Sequence, residues 1–127
     1  MHASADGFLR MTLEDVLALP FTHLVSGLDE PCDDGLASCG SRTTISGYTE
    51  WVASTDPPVT VGWDWVVDAA DQRMRWMRVG PPRSNVLLVD RTEHPYDWAK
   101  NEAVLGTVVD AIPWQEQARN ALAHRYS

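Results

Sequence analysis

The sequence predicts an α+β domain: a four-stranded antiparallel meander with two carboxy-terminal helices packed on one face and a short amino-terminal helix. Two observations predict this class. Apolar and polar residues alternate with a period of two in several segments between Thr43 and Asp90, and turn-forming residues separate those segments. Helical spacing of apolar residues then runs from Asp97 to Leu122. Strands and helices are thus segregated along the chain, as is typical of α+β domains.

The segment Val59–Asp68 predicts the central strand. Its odd-numbered positions are all apolar: Val59, Val61, Trp63, Trp65 and Val67. Because strand side chains alternate between two faces, these residues form one apolar wall. Each of the two tryptophans can bury about 150–250 Å². We therefore expect this wall to anchor the hydrophobic core.

Three other segments predict the remaining strands of the meander: Thr43–Ser54, Arg73–Val79 and Ser84–Asp90. The first is joined to the central strand by Thr55–Pro58, whose two prolines cannot donate to a strand ladder and therefore indicate a turn. The unbroken apolar run inside the last segment predicts burial on both of its faces.

The turn lengths predict which residues face one another across the strands. If the first turn is centred on Asp56 and Pro57, Glu50 lies opposite Trp63. In that register Glu50 points away from the face that carries Asp64. Two carboxylates on opposite faces of a sheet cannot share a substrate, so this pair is not expected to act as a catalytic acid and base.

A second turn centred on residues 70 and 71 places Trp65 opposite Trp76 and Trp63 opposite Arg78. The result is an aromatic wall whose edge at Trp63 is flanked by two charged side chains. Such a pair is either a rim ion pair or a means of orienting a polar ligand in an apolar pocket. The candidate ligand- or partner-binding residues are Glu50, Trp63, Trp65, Trp76 and Arg78.

Capping residues predict three helices. Thr12 can cap a short amino-terminal helix that ends at Pro20. For Phe21–Leu28, where the apolar residues follow no single period, a further turn and a short extended piece both remain open. Near the carboxy terminus, Asp97 can cap one helix and Pro113 can occupy the first turn of another. The tryptophan wall is the surface that these two amphipathic helices are expected to cover.

Length and charge limit the function classes. A chain of 127 residues predicts a single domain over residues 1–127. Eighteen acidic residues against ten basic ones give a net charge of −8, which disfavours unaided binding to DNA phosphates. The first residues lack the basic region and long apolar run of a secretory signal. These features predict a cytoplasmic protein that binds another protein or a small molecule.

The segment from Asp29 to Arg42 is rich in acids, glycine and serine and predicts an exposed loop. A solvated connector, a lid and a partner contact are all consistent with it. Cys32 and Cys39 are expected to be free thiols in a reducing cytosol, with a disulfide or a metal pair as the alternatives. No other cysteine occurs in the chain.

No motif in the sequence indicates catalysis. The four histidines are scattered, and no glycine-rich phosphate loop is present, so no enzyme activity, cofactor or metal is expected. Arginines alternate with Met74, Trp76 and Met77, which superficially resembles a nucleic-acid platform. Asp64 and Asp68 on the neighbouring strand cancel much of that positive field, so structural ion pairing is favoured.

Three stretches and the helix after them resemble the RsaM-type family of small bacterial quorum-sensing regulators. They are Ile45–Trp51, Val61–Trp65 and Ser84–Asp90, followed by the helix that begins at Trp98. The resemblance spans about Ile45 to Trp114. It implies a cytoplasmic, dimeric negative regulator of N-acylhomoserine lactone signalling without a recognisable DNA-binding motif. The signal synthase, the signal receptor and transcript levels are all possible points of action, and the family supplies no functional residues to carry over.

The sequence and the resemblance together predict a non-enzymatic repressor of quorum sensing that acts through protein contacts, with a regulatory protein of the synthase or receptor pathway as partner. Two alternatives stay open. One is a small-ligand-binding domain with a pocket between the aromatic sheet face and the helices. The other is a repressor that binds nucleic acid directly.

Overall fold

The computed structural model describes residues 7–29, 44–68 and 71–126. Most of the loop predicted for residues 29–42, including both cysteines, lies outside the described residues. Six strands and three helices occur in the described part, in the following order: β1 (Leu9–Met11), α1 (Leu13–Leu17), β2 (Phe21–Leu28), β3 (Thr44–Ala53), β4 (Val59–Asp68), β5 (Met74–Val79), β6 (Val86–Leu88), α2 (Trp98–Ala111) and α3 (Gln115–Tyr126).

The predicted fold class is confirmed, because the structure contains a four-stranded antiparallel sheet, two carboxy-terminal helices and a short amino-terminal helix. The sheet order is β2-β3-β4-β5. Its fourth member differs from the expectation: Phe21–Leu28, left open between a turn and an extended piece, is the edge strand β2. The predicted strand Ser84–Asp90 contributes only β6, which pairs in parallel with β1 in a separate two-stranded sheet.

Helix α2 explains why β6 does not extend the main sheet, because it lies along the outer edge of β5. The Val79 N–H donates to Glu102 Oε1 over 3.4 Å, and the Trp76 indole packs against Gly106. Covering an edge in this way prevents another strand from pairing there. The predicted burial of the last strand on both faces is confirmed, since Val86 and Leu88 on one face and Leu87 on the other are all buried.

The register between β3 and β4 differs by one residue from the prediction. Ala53 pairs with Val59, so five residues connect the strands where the predicted turn left four. Glu50 therefore pairs with Gly62 and not with Trp63. A slip of one residue moves every side chain of a strand to the other face. The predicted placement of Glu50 beside Trp63 is wrong.

The register between β4 and β5 is correct at one end only. Trp65 pairs with Trp76, as predicted. Beyond that pair a β-bulge leaves Met77 as an extra residue, so Val79 lies opposite Trp63, and Arg78 is not its neighbour as predicted. A bulge inserts one residue into one strand and shifts all later pairs, which alternation in the sequence does not reveal.

The tryptophan wall is confirmed as the centre of the core. Trp63 and Trp65 are both 0% exposed, and Trp114, just before α3, packs against both rings. The Trp65 indole N–H donates to Thr49 Oγ1 over 3.0 Å, which satisfies its one polar group within the core. Leu105 and Val109 of α2 complete the packing on this face.

The caps at Thr12 and Asp97 are confirmed, whereas Pro113, predicted in the first turn of the last helix, lies two residues before α3. Thr12 and Asp15 form a reciprocal capping box at α1, with each side chain accepting from the backbone N–H of the other residue. Asp97 accepts the Lys100 N–H over 2.8 Å at the start of α2. Trp98, the first residue of α2, is 43% exposed and contacts Phe8 edge to face.

Candidate functional site

The sheet has two faces of different character. We call the side that carries Trp63 and Trp65 the core face. The outer face carries Tyr48, Glu50, Asp64 and Arg78, because Tyr48 and Arg78 both pair with Asp64, and directly opposite residues share a face. The predicted grouping of Glu50 and Arg78 around Trp63 therefore does not form, since the charged residues and the indole lie on opposite sides.

The five candidate binding residues are divided between these faces. Trp63 and Trp65 are fully buried and offer no surface to a partner. Trp76 is half-buried and joins β5 to α2, where its indole N–H donates to Asp110 Oδ1 over 2.7 Å. Glu50 is half-buried on the outer face, and Arg78 is exposed there.

A cluster centred on Arg83 is the main polar feature of the outer face. The guanidinium lies 3.3 Å from Asp64 Oδ1, 3.4 Å from Asp29 Oδ1 and 4.0 Å from Glu50 Oε1. It also stacks 3.7 Å above the centre of the Tyr48 ring, within the range of a cation–π interaction. We call these five side chains the Arg83 cluster.

Gly62 allows the Arg83 cluster to form. The backbone of Arg83 crosses β4 so closely that a Cβ on Gly62 would lie 2.2 Å from the Arg83 carbonyl oxygen. Asn85 anchors the same crossing, since its Oδ1 accepts the Thr60 N–H over 2.9 Å. Only glycine fits under such a close backbone approach.

The sequence reasoning missed this cluster because the register was wrong by one residue. In the observed register Glu50 and Asp64 share a face, so the predicted separation of these two carboxylates is wrong. Both now face the guanidinium of Arg83. Two features of the sequence could have indicated the cluster. One is an arginine that directly follows two prolines, and the other is a glycine in the central strand, Gly62, with carboxylates close to it.

An apolar groove is the second candidate feature. It has a volume of about 430 Å³ and lies between α1, β3 and the carboxyl end of α2. Its lining residues are Leu13, Leu17, Trp51, Thr107, Val108, Ala111, Ile112 and Pro113. The observed register turns Trp51 towards this side, where Phe21 stacks on it with ring centres 3.7 Å apart. The groove contains none of the candidate residues taken from the sequence.

The described residues contain neither a candidate metal site nor a candidate membrane-spanning helix. Within residues 7–29, 44–68 and 71–126, no group of three or more metal-ligating side chains is positioned to hold an ion. None of the helices in that part of the chain combines the length and the apolar character needed to cross a bilayer.

A family model described as "Domain of unknown function (DUF4902)" matches residues 4–121, nearly the whole chain. The chain belongs to the DUF4902 family. The match includes the amino-terminal part of this DUF4902 protein, which lies outside the stretch that carried the predicted resemblance. No curated protein matches the sequence.

The fold of this DUF4902 protein is also found in a solved structure, "Crystal structure of BCAM1869 protein (RsaM homolog) from Burkholderia cenocepacia". The two chains are 28% identical, and the alignment covers 98% of this chain and 94% of the other with a TM-score of 0.69. The resemblance to the RsaM-type family is therefore confirmed, and it extends over both sheets and all three helices.

Proposed function

We propose that this DUF4902 protein is a non-enzymatic negative regulator of N-acylhomoserine lactone quorum sensing that acts in the cytoplasm by contacting another regulatory protein. The observation that carries the proposal is the likeness to an RsaM homolog over 98% of the chain. The RsaM-type resemblance implies this role, with the signal synthase or signal receptor pathway as the source of the partner.

The outer face is the surface we assign to the partner contact. It presents the half-buried Arg83 cluster and the exposed Arg78, whereas Trp63 and Trp65 of the core face are enclosed. Interfaces are often built around arginine and tyrosine, which combine flat apolar surface with hydrogen-bonding groups. Arg83 stacked on Tyr48 supplies this combination on a β-sheet that the core holds rigid.

The charges of the outer face support contact with a protein over contact with nucleic acid. Asp68 lies 3.9 Å from Arg75, and Arg83 faces the carboxylates of its cluster. These pairs reduce the positive field that phosphate binding requires. The same pairing supports a non-enzymatic role, because Glu50 and Asp64 already have a guanidinium as their neighbour.

We also propose that the protein forms a homodimer, as the RsaM-type resemblance implies, and that the contact lies at the edge of β2 with which no described strand pairs. This strand has eight residues, without proline or formal charge at neutral pH, and no described strand pairs with its outer edge. Long uncharged edges readily pair with another copy of themselves. The opposite edge of the sheet is covered by α2 and carries the arginines of β5.

The regulatory role can be tested with a reporter of signal-dependent transcription in a cell that makes the signal. Arg78→Glu reverses a charge on the outer face, and Arg91→Glu makes the same change in an exposed turn after β6. We expect the first variant to lose repression and the second to keep it, with both proteins equally abundant. If Arg78→Glu still represses, the outer face is not the partner contact.

Purified protein distinguishes a protein contact from direct binding to DNA. If it retards the promoter DNA of the signal synthase at physiological salt, with affinity that falls steeply as salt rises, direct repression replaces the present proposal. The protein-contact mechanism instead requires a partner protein that is recovered together with the chain after nuclease treatment and on which repression depends. Arg78→Glu should abolish the recovery of this partner.

The dimer contact has its own matched pair of variants. Val25 on β2 is 44% exposed and Met77 on β5 is 60% exposed, so either can accept lysine without disturbing the core. Sedimentation should show that Val25→Lys is monomeric and that Met77→Lys remains dimeric. The opposite result would place the dimer contact at the β5 edge.

A further inference from the structure

The groove beside Trp51 has the dimensions and walls of a small-molecule site. Its volume of about 430 Å³ lies within the roughly 300–1,000 Å³ that is usual for ligand pockets. Leu13 and Leu17 of α1 form one wall, and Val108 and Ile112 of α2 form another. Leu17 remains 57% exposed, so a large apolar surface is left uncovered at the mouth of the groove.

Trp51 is held rigid at the sheet side of the groove. Phe21 stacks on its ring at an interplanar angle of 15°, which fixes the indole between the sheet and the groove. A wall that is already ordered costs little conformational entropy when an apolar chain packs against it. The groove is thus preformed on this side, and a ligand chain does not need to reorder the indole.

The α2 side of the groove offers hydrogen-bond acceptors. It is formed by the last turn of α2, which contains no basic residue, and by Pro113, which has no N–H. The carboxyl end of a helix carries partial negative charge and exposes backbone carbonyl groups. The Thr107 hydroxyl donates to the Val104 carbonyl over 2.6 Å, so towards the groove it can only accept.

We propose that this groove binds a small amphiphile with a linear aliphatic chain and a head group that donates hydrogen bonds and is not anionic. The chain lies on Trp51 and the leucines of α1, and the head group faces the carboxyl end of α2. An alcohol, an amide or an ammonium group matches this end, whereas a carboxylate meets acceptors, the helix dipole and a protein of net charge −8. This inference is independent of the proposed regulatory function.

Binding can be followed on the full chain with three probes of equal chain length: octanol, octylamine and octanoate. The readout is the indole N–H resonance of Trp51, assigned with Trp51→Phe because the chain has six tryptophans. We expect saturable shifts with octanol and octylamine, and affinity at least about tenfold weaker for octanoate. Shortening the alcohol should weaken binding about fourfold for each methylene removed.

Two alanines of α2 provide a matched pair of variants. Ala111 lines the groove, and Ala103 is an exposed position two turns earlier on the same helix, about 12 Å away along the axis. Ala111→Trp should fill the groove and weaken octanol binding at least about tenfold. Ala103→Trp should bind like the original chain. Thr107→Trp replaces Ala111→Trp if that variant does not fold.

Several outcomes would overturn the proposal. These are the absence of a saturable Trp51 shift with octanol, equal affinity for octanoate, and unchanged binding in both groove-filling variants. If filling the groove instead changes the sedimentation of the protein, the groove is occupied by a second copy of the chain and not by an amphiphile. Octylamine binding that survives in the filled variants would be surface attraction of a cation to an acidic protein, and would also contradict the site.

Discussion

Replacing Trp65 with alanine is expected to lower the free energy of unfolding by about 3–5 kcal/mol. The side chain is 0% exposed, so the whole ring leaves a buried position and the change creates a cavity in the core. The ring also lies tightly over Gly47, where a Cβ would lie 2.4 Å from the Trp65 ring atom Cζ2. Trp114, on the other side, loses a ring contact whose centres are 6.4 Å apart.

The hydrogen-bond loss from this substitution is small. Trp65 donates to Thr49 Oγ1, but that hydroxyl keeps its 2.8 Å hydrogen bond to Ser26. The destabilisation therefore comes mainly from lost packing. Trp65→Phe, which retains a ring of smaller volume, should lose less stability than Trp65→Ala because it leaves a smaller cavity.

Urea denaturation of the purified variants measures the effect. We expect a lower midpoint with an unchanged slope, since a change in midpoint alone reports a change in stability. Trp98→Ala is the matched control, because it removes the same ring from a position that is 43% exposed, and it should be less destabilising. An unchanged midpoint in Trp65→Ala would refute the reasoning that places this indole at the centre of the core. If the variant loses repression without losing stability, Trp65 belongs to a functional surface.

Three smaller perturbations test other parts of the structure. Thr12→Ala should cost about 1 kcal/mol of unfolding free energy by removing the cap of α1, measurable by urea denaturation. Gly106→Val should displace the indole of Trp76, which a Cβ there would meet at 2.7 Å, and cost about 1–3 kcal/mol, visible as a shifted indole resonance and a lower midpoint. The Thr92 hydroxyl and the His94 N–H donate to Asp90 and hold its pKa below 3.8, so its stabilisation is present above pH 3.8 and is lost as the pH falls further. Asp90→Asn should flatten the pH dependence of the midpoint below pH 3.8, and an unaltered profile would contradict this assignment.

The elements that depend on local chemistry were predictable. The alternation from Val59 to Val67 is visible in the sequence, and both tryptophans of this segment lie in the core of the structure. In the caps at Thr12 and Asp97, the side chain that accepts the hydrogen bond lies three residues from the backbone N–H that donates it. Such short-range features require no knowledge of how the rest of the chain folds.

The candidate site was harder to predict because it depends on two single-residue choices. The turn after β3 contains five residues and not four, which transfers Glu50 to the outer face. The bulge at Met77 does the same for Arg78 relative to Trp63. Neither choice changes the hydrophobic pattern of β4, so the pattern could identify the wall but not the residues that flank it.

By itself the sequence determined the class of the fold, the strand that anchors the core, the helix caps and the resemblance to the RsaM-type family, because each depends on residues close together in the chain or on an ordered motif. Only the tertiary structure decided that β2 completes the sheet, that β6 pairs with β1, and that Arg83 gathers carboxylates on the outer face. The physical reason is that pairing partners and contacts between distant residues depend on turn length, bulges and the space that α2 occupies. These quantities arise only when the whole chain is packed.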